Sequence, residues 1–372
     1  MQRMKQNSVT IVFLSFLIIV TALLFVLPKA ERSENEKRTL AAFPELTADS
    51  VFSGNFGKEF ETYLADHFPM RDVFYGIHSY TQLYTGRNGQ SGIYACDDGY
   101  LLATPGELDT DIAKANVQIF AQFAQSTDLP TTVIAVPNPG YILDEKLPNN
   151  HLDYMDDAAF QIITDNAGDM QVIDLRDTFQ NTDEQIYFKT DHHLTAAGSY
   201  EMYVAFCQAT GRTPTAFSCA TTSDGFYGTG YSKSGLWLKE PDTLEIWKPQ
   251  TPSAYRVTIS DHGTEETYDS LYFEEHLDNL DQYPVYLDGN HALTIIENQN
   301  VQNGKRLLII KDSYAHTFAT YAAEDYEMIC MVDLRYYQQM TSSLIEQYGL
   351  NEILVLYGVE NLVSSTDIAR LW

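Results

Sequence analysis

Beyond residue 108 the apolar positions of the chain alternate between two rhythms. Residues 109–125 place Ile112, Ile119, Phe120 and Phe123 on one helical face, and 131–136 follow as a β-branched run closed by Pro137-Asn138-Pro139-Gly140. The same alternation predicts a helix over 155–166 and a strand over 171–175, and three further apolar runs stand at 307–310, 328–332 and 353–356. A strand that is apolar at every position must bury both faces. About five short buried strands with helices between them imply an α/β fold with a mostly parallel sheet covered on both sides.

Two regions depart from this rhythm. Within 217–300, the runs 244–247 and 255–259 alternate like half-exposed strands in a background rich in Gly, Asp and Tyr. This reads as an inserted β-rich segment at the edge of the site, either a substrate wall or a structural elaboration. Ahead of the alternation, 91–94 and 99–102 predict a hairpin around Asp97-Asp98, and 57–66 has helical spacing among its aromatics. The chain's beginning is different in kind: 9–27 is almost unbroken apolar sequence of membrane-spanning length, preceded by Arg3 and Lys5. Basic residues before a span favour a cytoplasmic N-terminus and an exported remainder, and Pro28-Lys29-Ala30-Glu31 lacks a small-x-small cleavage site. An uncleaved single-pass anchor is thus preferred to a cleaved signal. The expected organisation is an anchor at 1–28, a charged flexible tether at 29–38, a packing arm at 39–105, and a domain at 106–372 with its insertion at about 217–300.

Composition changes the picture in one respect. A chain of 372 residues, 44% hydrophobic and 20% charged, is an ordinary globular protein with ample core, but its formal charge of −28 is not ordinary. It argues against nucleic acid or an anionic lipid surface as primary partner, because both require basic patches. Cys96, Cys207, Cys219 and Cys330 have no CxxC spacing, which argues against a zinc ribbon or dithiol motif and leaves a Cys207–Cys219 bridge open.

The chemistry concentrates at Lys189-Thr190-Asp191-His192-His193-Leu194-Thr195, a polar run between the extended stretch 185–188 and a helix for which Thr195 is the natural N-cap. An Asp and a His two residues apart on such a loop can be held side by side, the carboxylate orienting the imidazole as a base. The matching nucleophile is Ser313: 306–310 reads as a buried parallel strand breaking into Lys311-Asp312-Ser313 before a helix. A serine at a strand's carboxyl end and a helix's first turn stands where α/β sheets place ligands, with free N–H groups nearby for an oxyanion. Each residue alone has a plain reading, Asp191 and Ser313 as helix-entry groups and His193 as a packed polar side chain. His192 and His193 lack further ligands at metal spacing, so no metal is expected.

These motifs, together with Asp333-Leu334-Arg335-Tyr336-Tyr337 and Gly228-Thr229-Gly230-Tyr231-Ser232-Lys233-Ser234-Gly235, resemble the DHHW proteins of Gram-positive bacteria. Those proteins are similar to the AlgX/AlgJ alginate O-acetyltransferases, a branch of the SGNH hydrolase superfamily; the resemblance runs from roughly residue 38 to 357. Leu194 occupies the motif's aromatic position, and Lys311 stands where many SGNH enzymes carry glycine. The resemblance implies an SGNH-hydrolase-like three-layer fold and a triad with Ser313 as nucleophile, His193 as base and Asp191 as orienting carboxylate. It implies an O-acetyltransferase at the outer face of the cell membrane acting on a cell-surface polysaccharide, without a cofactor, supplied by a multi-pass membrane O-acyltransferase. A carbohydrate esterase with the same triad, and an inactive glycan-binding scaffold, stand as alternatives. For the oxyanion the candidates are the Ser313 N–H, Asn138 and Asn290; Lys311 and Tyr187 are candidate substrate-facing groups.

Overall fold

The computed structural model describes residues 2–261 and 263–372, with side chains from Ser8 onward, so the side chains of Arg3 and Lys5 lie outside the described residues. The chain divides into two units, Met1–Ser91 with Tyr231–Leu238, and Gly92–Gly230 with Lys239–Trp372.

In the smaller unit, helix α1 (Gln2–Val26) contains a stretch, Ser8–Val26, long and apolar enough to cross a membrane. Helices α2 (Asn55–Asp66) and α3 (Arg71–Tyr84) follow. The stretch 29–38, expected to be flexible, is tied down. Arg32–Ser33 pairs with Arg38–Thr39, Arg38 holds Asp66 at 2.5 Å, Glu36 holds Arg71 at 2.7 Å, and Asn35 donates to Asp72 at 2.8 Å. Glu36, Arg38 and Asn35 are partnered across α2 and α3, which a local reading of 29–38 cannot see. Helix α3 itself was not anticipated.

The larger unit is built on one eight-stranded sheet. Its strands, numbered along the chain, are β1 (Thr131–Val136), β2 (Gln171–Asp174), β3 (Tyr255–Asp261), β4 (Thr264–Tyr268), β5 (Leu293–Asn298), β6 (Arg306–Lys311), β7 (Met328–Val332) and β8 (Glu352–Gly358). They lie in the order β4-β3-β5-β7-β6-β8-β1-β2. The pairings from β7 to β2 are parallel and the three from β4 to β7 antiparallel. Helices α4 (Thr110–Thr127), α5 (Asp156–Asn166) and α8 (Val359–Ser364) cover one face, and α6 (Ala196–Ala209) and α7 (Ala315–Ala322) the other. Residues of β6 alternate between two cores: Leu307 and Ile309 pack with Met202, Phe206 and Phe318, while Leu308 and Ile310 pack with Val117, Phe123 and Leu362. That double burial is why the strand reads as continuously apolar.

The segment expected as an insertion is not a separate elaboration. Strands β3, β4 and β5 belong to the main sheet, and β5, not predicted as a strand, pairs along the edge of β7 that would otherwise stand open. Only Phe217–Phe226 and Asp242–Pro249 form a two-stranded ribbon of their own. The predicted hairpin is present as Ile93–Ala95 paired with Leu101–Ala103. All four cysteines are free thiols, Cys219 exposed and the others buried, so the Cys207–Cys219 bridge is not formed.

Strand β6 positions the chemistry. The chain leaves β6 for β7 on one side, and β8 then enters on the other, so the strand order reverses at β6. Ligands of open α/β sheets bind at such a reversal, outside the carboxyl ends of the strands.

Candidate active site

Ser313 lies two residues past the carboxyl end of β6, just ahead of α7, and is partly exposed. Its Oγ is 2.8 Å from His193 Nε2, and His193 Nδ1 is 2.5 Å from Asp191 Oδ1. Asp191 Oδ1 also accepts the His193 backbone N–H at 2.9 Å, and Oδ2 accepts the Thr229 N–H at 2.6 Å. A buried carboxylate on Nδ1 keeps that nitrogen protonated, which leaves the Nε2 lone pair facing the serine hydroxyl. The three residues, separated by 120 positions along the chain between His193 and Ser313, form one continuous hydrogen-bonded path.

The loop carrying Asp191 and His193 is held from both ends. Thr195 caps α6, its Oγ accepting the Gly198 N–H at 3.0 Å, as the sequence predicts. At the other end Asp242, which sequence reasoning missed, accepts the N–H of Lys189 at 2.8 Å and both the N–H and the hydroxyl of Thr190 at 2.7 Å. Burial pushes the Asp242 carboxyl up, against the lowering effect of these donors. The Gly-Thr-Gly segment closes over the loop: the Gly228 N–H donates to Thr190 Oγ at 3.0 Å. A Cβ at Gly228 would stand 2.1 Å from Asp191 Cβ, and one at Gly230 would stand 2.6 Å from the Leu101 carbonyl oxygen. Both positions need glycine because backbone passes directly against the site.

The serine has its own supports. Asp312, buried and also missed from sequence, accepts the N–H groups of Tyr314 (3.0 Å) and Gly358 (2.9 Å) and the side-chain amide of Asn361 (2.8 Å). It ties the turn after β6 to the end of β8. Tyr283 stacks on His193 with ring centres 3.8 Å apart and planes 14° apart, and its hydroxyl donates to the Ser313 carbonyl at 3.2 Å. Tyr314 donates to the His192 carbonyl at 2.9 Å. Apart from the local Asp312–Tyr314 bond, these contacts are long-range, and no local sequence signal marks them.

The remaining sequence candidates are placed as follows. Asn138 gives its backbone N–H (2.8 Å) and one of its two side-chain N–H groups (2.9 Å) to the buried Asp156, and no described hydrogen bond joins it to Ser313. Tyr187 is fully buried with its hydroxyl donating to the Pro137 carbonyl at 2.7 Å, a packing role. Lys311, a candidate for contact with substrate, is buried; its Nζ lies 2.9 Å from His316 Nε2 and 3.2 Å from Asp333. Burial lowers its pKa, with Asp333 opposing. Asn290 is exposed and accepts from Arg335 at 3.0 Å, and no described hydrogen bond joins it to Ser313. The Ser313 N–H, the first choice, has no partner among the described hydrogen bonds and remains available. Ligand atoms of Asp191, His192 and His193 lie within 4.8 Å of one another, close enough for a metal. Yet both ring nitrogens of His193 are engaged, by Asp191 and Ser313, and His192 Nδ1 meets Thr229 Oγ at 2.8 Å. The donor set fits proton transfer better than coordination.

A serine at the strand-order reversal of this sheet, reached by an Asp-x-His loop, defines an α/β fold of the SGNH-hydrolase-like class. Residues 151–332 match the family model described as DHHW protein, and the family resemblance read from the motifs holds. Among solved structures the chain is similar to a DHHW family protein from Eubacterium siraeum, 21% identical with a TM-score of 0.65, over 76% of this chain and 95% of that one. It is also similar to Bacillus cereus PatB1, 22% identical with a TM-score of 0.64, over 74% of this chain and 98% of that one. The O-acetyltransferase domain of Pseudomonas putida AlgJ is 12% identical with a TM-score of 0.50, over 75% and 98% of the two chains. At these identities the likeness is one of fold. No curated protein matches the chain.

Proposed function

We propose that the protein is a membrane-anchored O-acyltransferase, acetyl being the expected group, that modifies a hydroxyl of a cell-surface polysaccharide outside the cytoplasm. The observation that carries this reading is the continuous Asp191–His193–Ser313 hydrogen-bonded path at the sheet's ligand edge. In the mechanism it supports, His193 Nε2 takes the Ser313 proton as Oγ attacks the acyl carbonyl, then returns that proton to the leaving group. Asp191 stabilises the imidazolium, and the Ser313 N–H faces the oxyanion. A sugar hydroxyl, deprotonated by the same His193, then attacks the acyl-enzyme; the bond from the acyl carbon to Ser313 Oγ breaks, His193 returns the proton to Oγ, and the sugar ester leaves. The fold shared with the O-acetyltransferase domain of AlgJ is consistent with transfer. The Ser8–Val26 helix supports anchoring, with an extracytoplasmic body.

The inactive-scaffold reading required a serine turned away from His193, and the 2.8 Å contact is against it. The esterase reading shares every residue and differs only in whether water or a sugar hydroxyl resolves the acyl-enzyme. The test is to incubate the protein with an acetyl donor and candidate cell-wall oligosaccharides and to follow products by mass spectrometry. Acceptor-dependent donor consumption with O-acetylated sugar supports transfer. Deacetylation of an acetylated glycan, with no transfer to any acceptor, overturns it in favour of the esterase.

A further inference from the structure

Helix α3 is amphipathic in the wrong direction for a helix of a water-soluble body. Met70, Val73, Phe74, Ile77 and Tyr84 fall on one stripe at helical spacing, and they are 63%, 49%, 45%, 57% and 89% exposed. The opposite stripe faces the rest of its own unit. Ser79 is fully buried and the Tyr75 ring lies 5.5 Å from Trp237, tilted by 33°, while at the margin of the exposed stripe the Tyr80 hydroxyl accepts the Leu238 N–H at 3.0 Å. The exposed His78 and Thr81 interrupt this face, but it carries no formal charge, since Arg71 and Asp72 in the first turn are the only formally charged residues of α3. Phe68, beside Phe74 with ring centres 5.8 Å apart, continues the patch. In a monomer surrounded by water, an exposed apolar face with this many large side chains marks an interaction site.

The position of the stripe along the chain identifies what covers it. The candidate span ends at Val26, and Asn35 and Glu36 are already fixed to Asp72 and Arg71 at the start of α3. The eight residues between Val26 and Asn35 reach at most about 30 Å even fully extended. Helix α3, roughly 21 Å long, is therefore held beside whatever the span is embedded in. We propose that α3 lies flat in the interfacial zone of the bilayer, with Val73, Phe74, Ile77 and Tyr84 inserted at the headgroup–acyl boundary on the side where the span emerges. The aromatic members suit that zone, where a ring and a polar tip are both accommodated. The chain's charge of −28 and the uncharged stripe favour zwitterionic phospholipid over anionic lipid as the binding surface. The proposal rests on the reading of Ser8–Val26 as a membrane anchor and adds a second, lateral membrane contact.

The full chain is tested in phosphatidylcholine vesicles carrying doxyl-labelled phosphatidylcholine. Single cysteines bearing bimane are placed at Leu17 in the span, at Phe74 and Ile77 on the stripe, and at Leu152, an exposed apolar position of the other unit. Cys219 is first replaced (Cys219→Ser), because it is the exposed native thiol. The expected result is strong quenching at Leu17 by deep doxyl groups, quenching at Phe74 and Ile77 by shallow ones at least threefold above Leu152, and little at Leu152. Quenching at Leu17 with Phe74 and Ile77 no different from Leu152 overturns the lateral contact while leaving the anchor. Labels at Phe74 and Ile77 shielded from aqueous iodide yet unquenched by doxyl lipid also overturn it, since protein would then cover the stripe. Quenching on the stripe without quenching at Leu17 sustains the contact and removes the anchor, and quenching at neither overturns both.

Discussion

Replacing Gly228 by alanine tests how closely the site is held. The new Cβ would lie 2.1 Å from Asp191 Cβ, 2.5 Å from its Cα and 2.5 Å from Oδ2. Non-bonded carbons do not approach closer than about 3 Å, so Asp191 or the Gly-Thr-Gly backbone must retreat by about 1 Å, and both carry hydrogen bonds of the site. The Asp191 contact to His193 Nδ1 is only 2.5 Å long, and the Thr229 N–H reaches Oδ2 at 2.6 Å, so a shift of that size detunes the orienting carboxylate directly. Misplacing a positioning group by such a distance costs about 10²-fold in rate, with complete loss of a triad Asp, about 10⁴-fold, as the upper limit. Overpacking should cost about 1–3 kcal/mol of stability, which leaves a folded protein to assay. Rates of acylation by a fluorophosphonate probe, measured alongside thermal melting, give both quantities. Gly57→Ala serves as the control, because a Cβ there has nothing within 4 Å and sits on helix α2. A folded Gly228→Ala variant acylated at the wild-type rate would refute the claim that Asp191 is fixed by close backbone contact.

Three further outcomes follow from buried charges and thiols. Arg38 holds the Asp66 carboxyl down to about 2, so its contribution is full above pH 4 and is lost as pH falls toward 2; because Arg38 is 41% exposed, the effect is about 1 kcal/mol. Denaturant melts of wild type and Asp66→Asn should differ at pH 6 and converge near pH 2, and a gap that persists at pH 2 contradicts the assignment. Asp333→Ala leaves the buried Lys311 ammonium without its carboxylate and should cost about 3–5 kcal/mol, whereas Lys311→Met leaves Asp333 paired with Arg335 at 2.5 Å and should cost far less. Equal losses in chemical denaturation would refute that asymmetry. Finally, of the four cysteines only Cys219 should react with a thiol reagent in the native protein, since the buried Cys96, Cys207 and Cys330 thiols are pushed up to about 11, about 12 and about 12; a second native reactive thiol would contradict the burial.

The parts of this molecule legible in its sequence are those specified by local pattern. Strand β6 is continuously apolar because Leu307 to Ile310 face two cores, and Thr195 announces α6 because a cap acts within one turn. Asp191, His193 and Ser313 were identifiable because motif spacing and strand-end position constrain them. Asp242, Asp312 and Tyr283 were not, since each acts on a partner reached only through tertiary structure: 53, 46 and 30 positions away in the respective contacts to Lys189, Gly358 and Ser313. Lys311 misled in the opposite sense. A lysine beside a candidate nucleophile suggests contact with an anion, but strand alternation turns it inward, where Asp333 and His316 meet its ammonium. The edge strands β3 to β5 were obscured because a strand with one exposed face alternates, and alternation carries no information about which sheet it joins.

The central claim is that Ser313 is a nucleophile activated by His193. Intact-mass spectrometry after exposure of the full chain to a fluorophosphonate tests it most directly, with peptide mapping to locate the adduct. The account predicts one adduct per chain, on Ser313, abolished by Ser313→Ala and slowed at least 10³-fold by a folded His193→Ala variant. No adduct on the folded wild type, or an adduct undiminished in a folded Ser313→Ala variant, would contradict it.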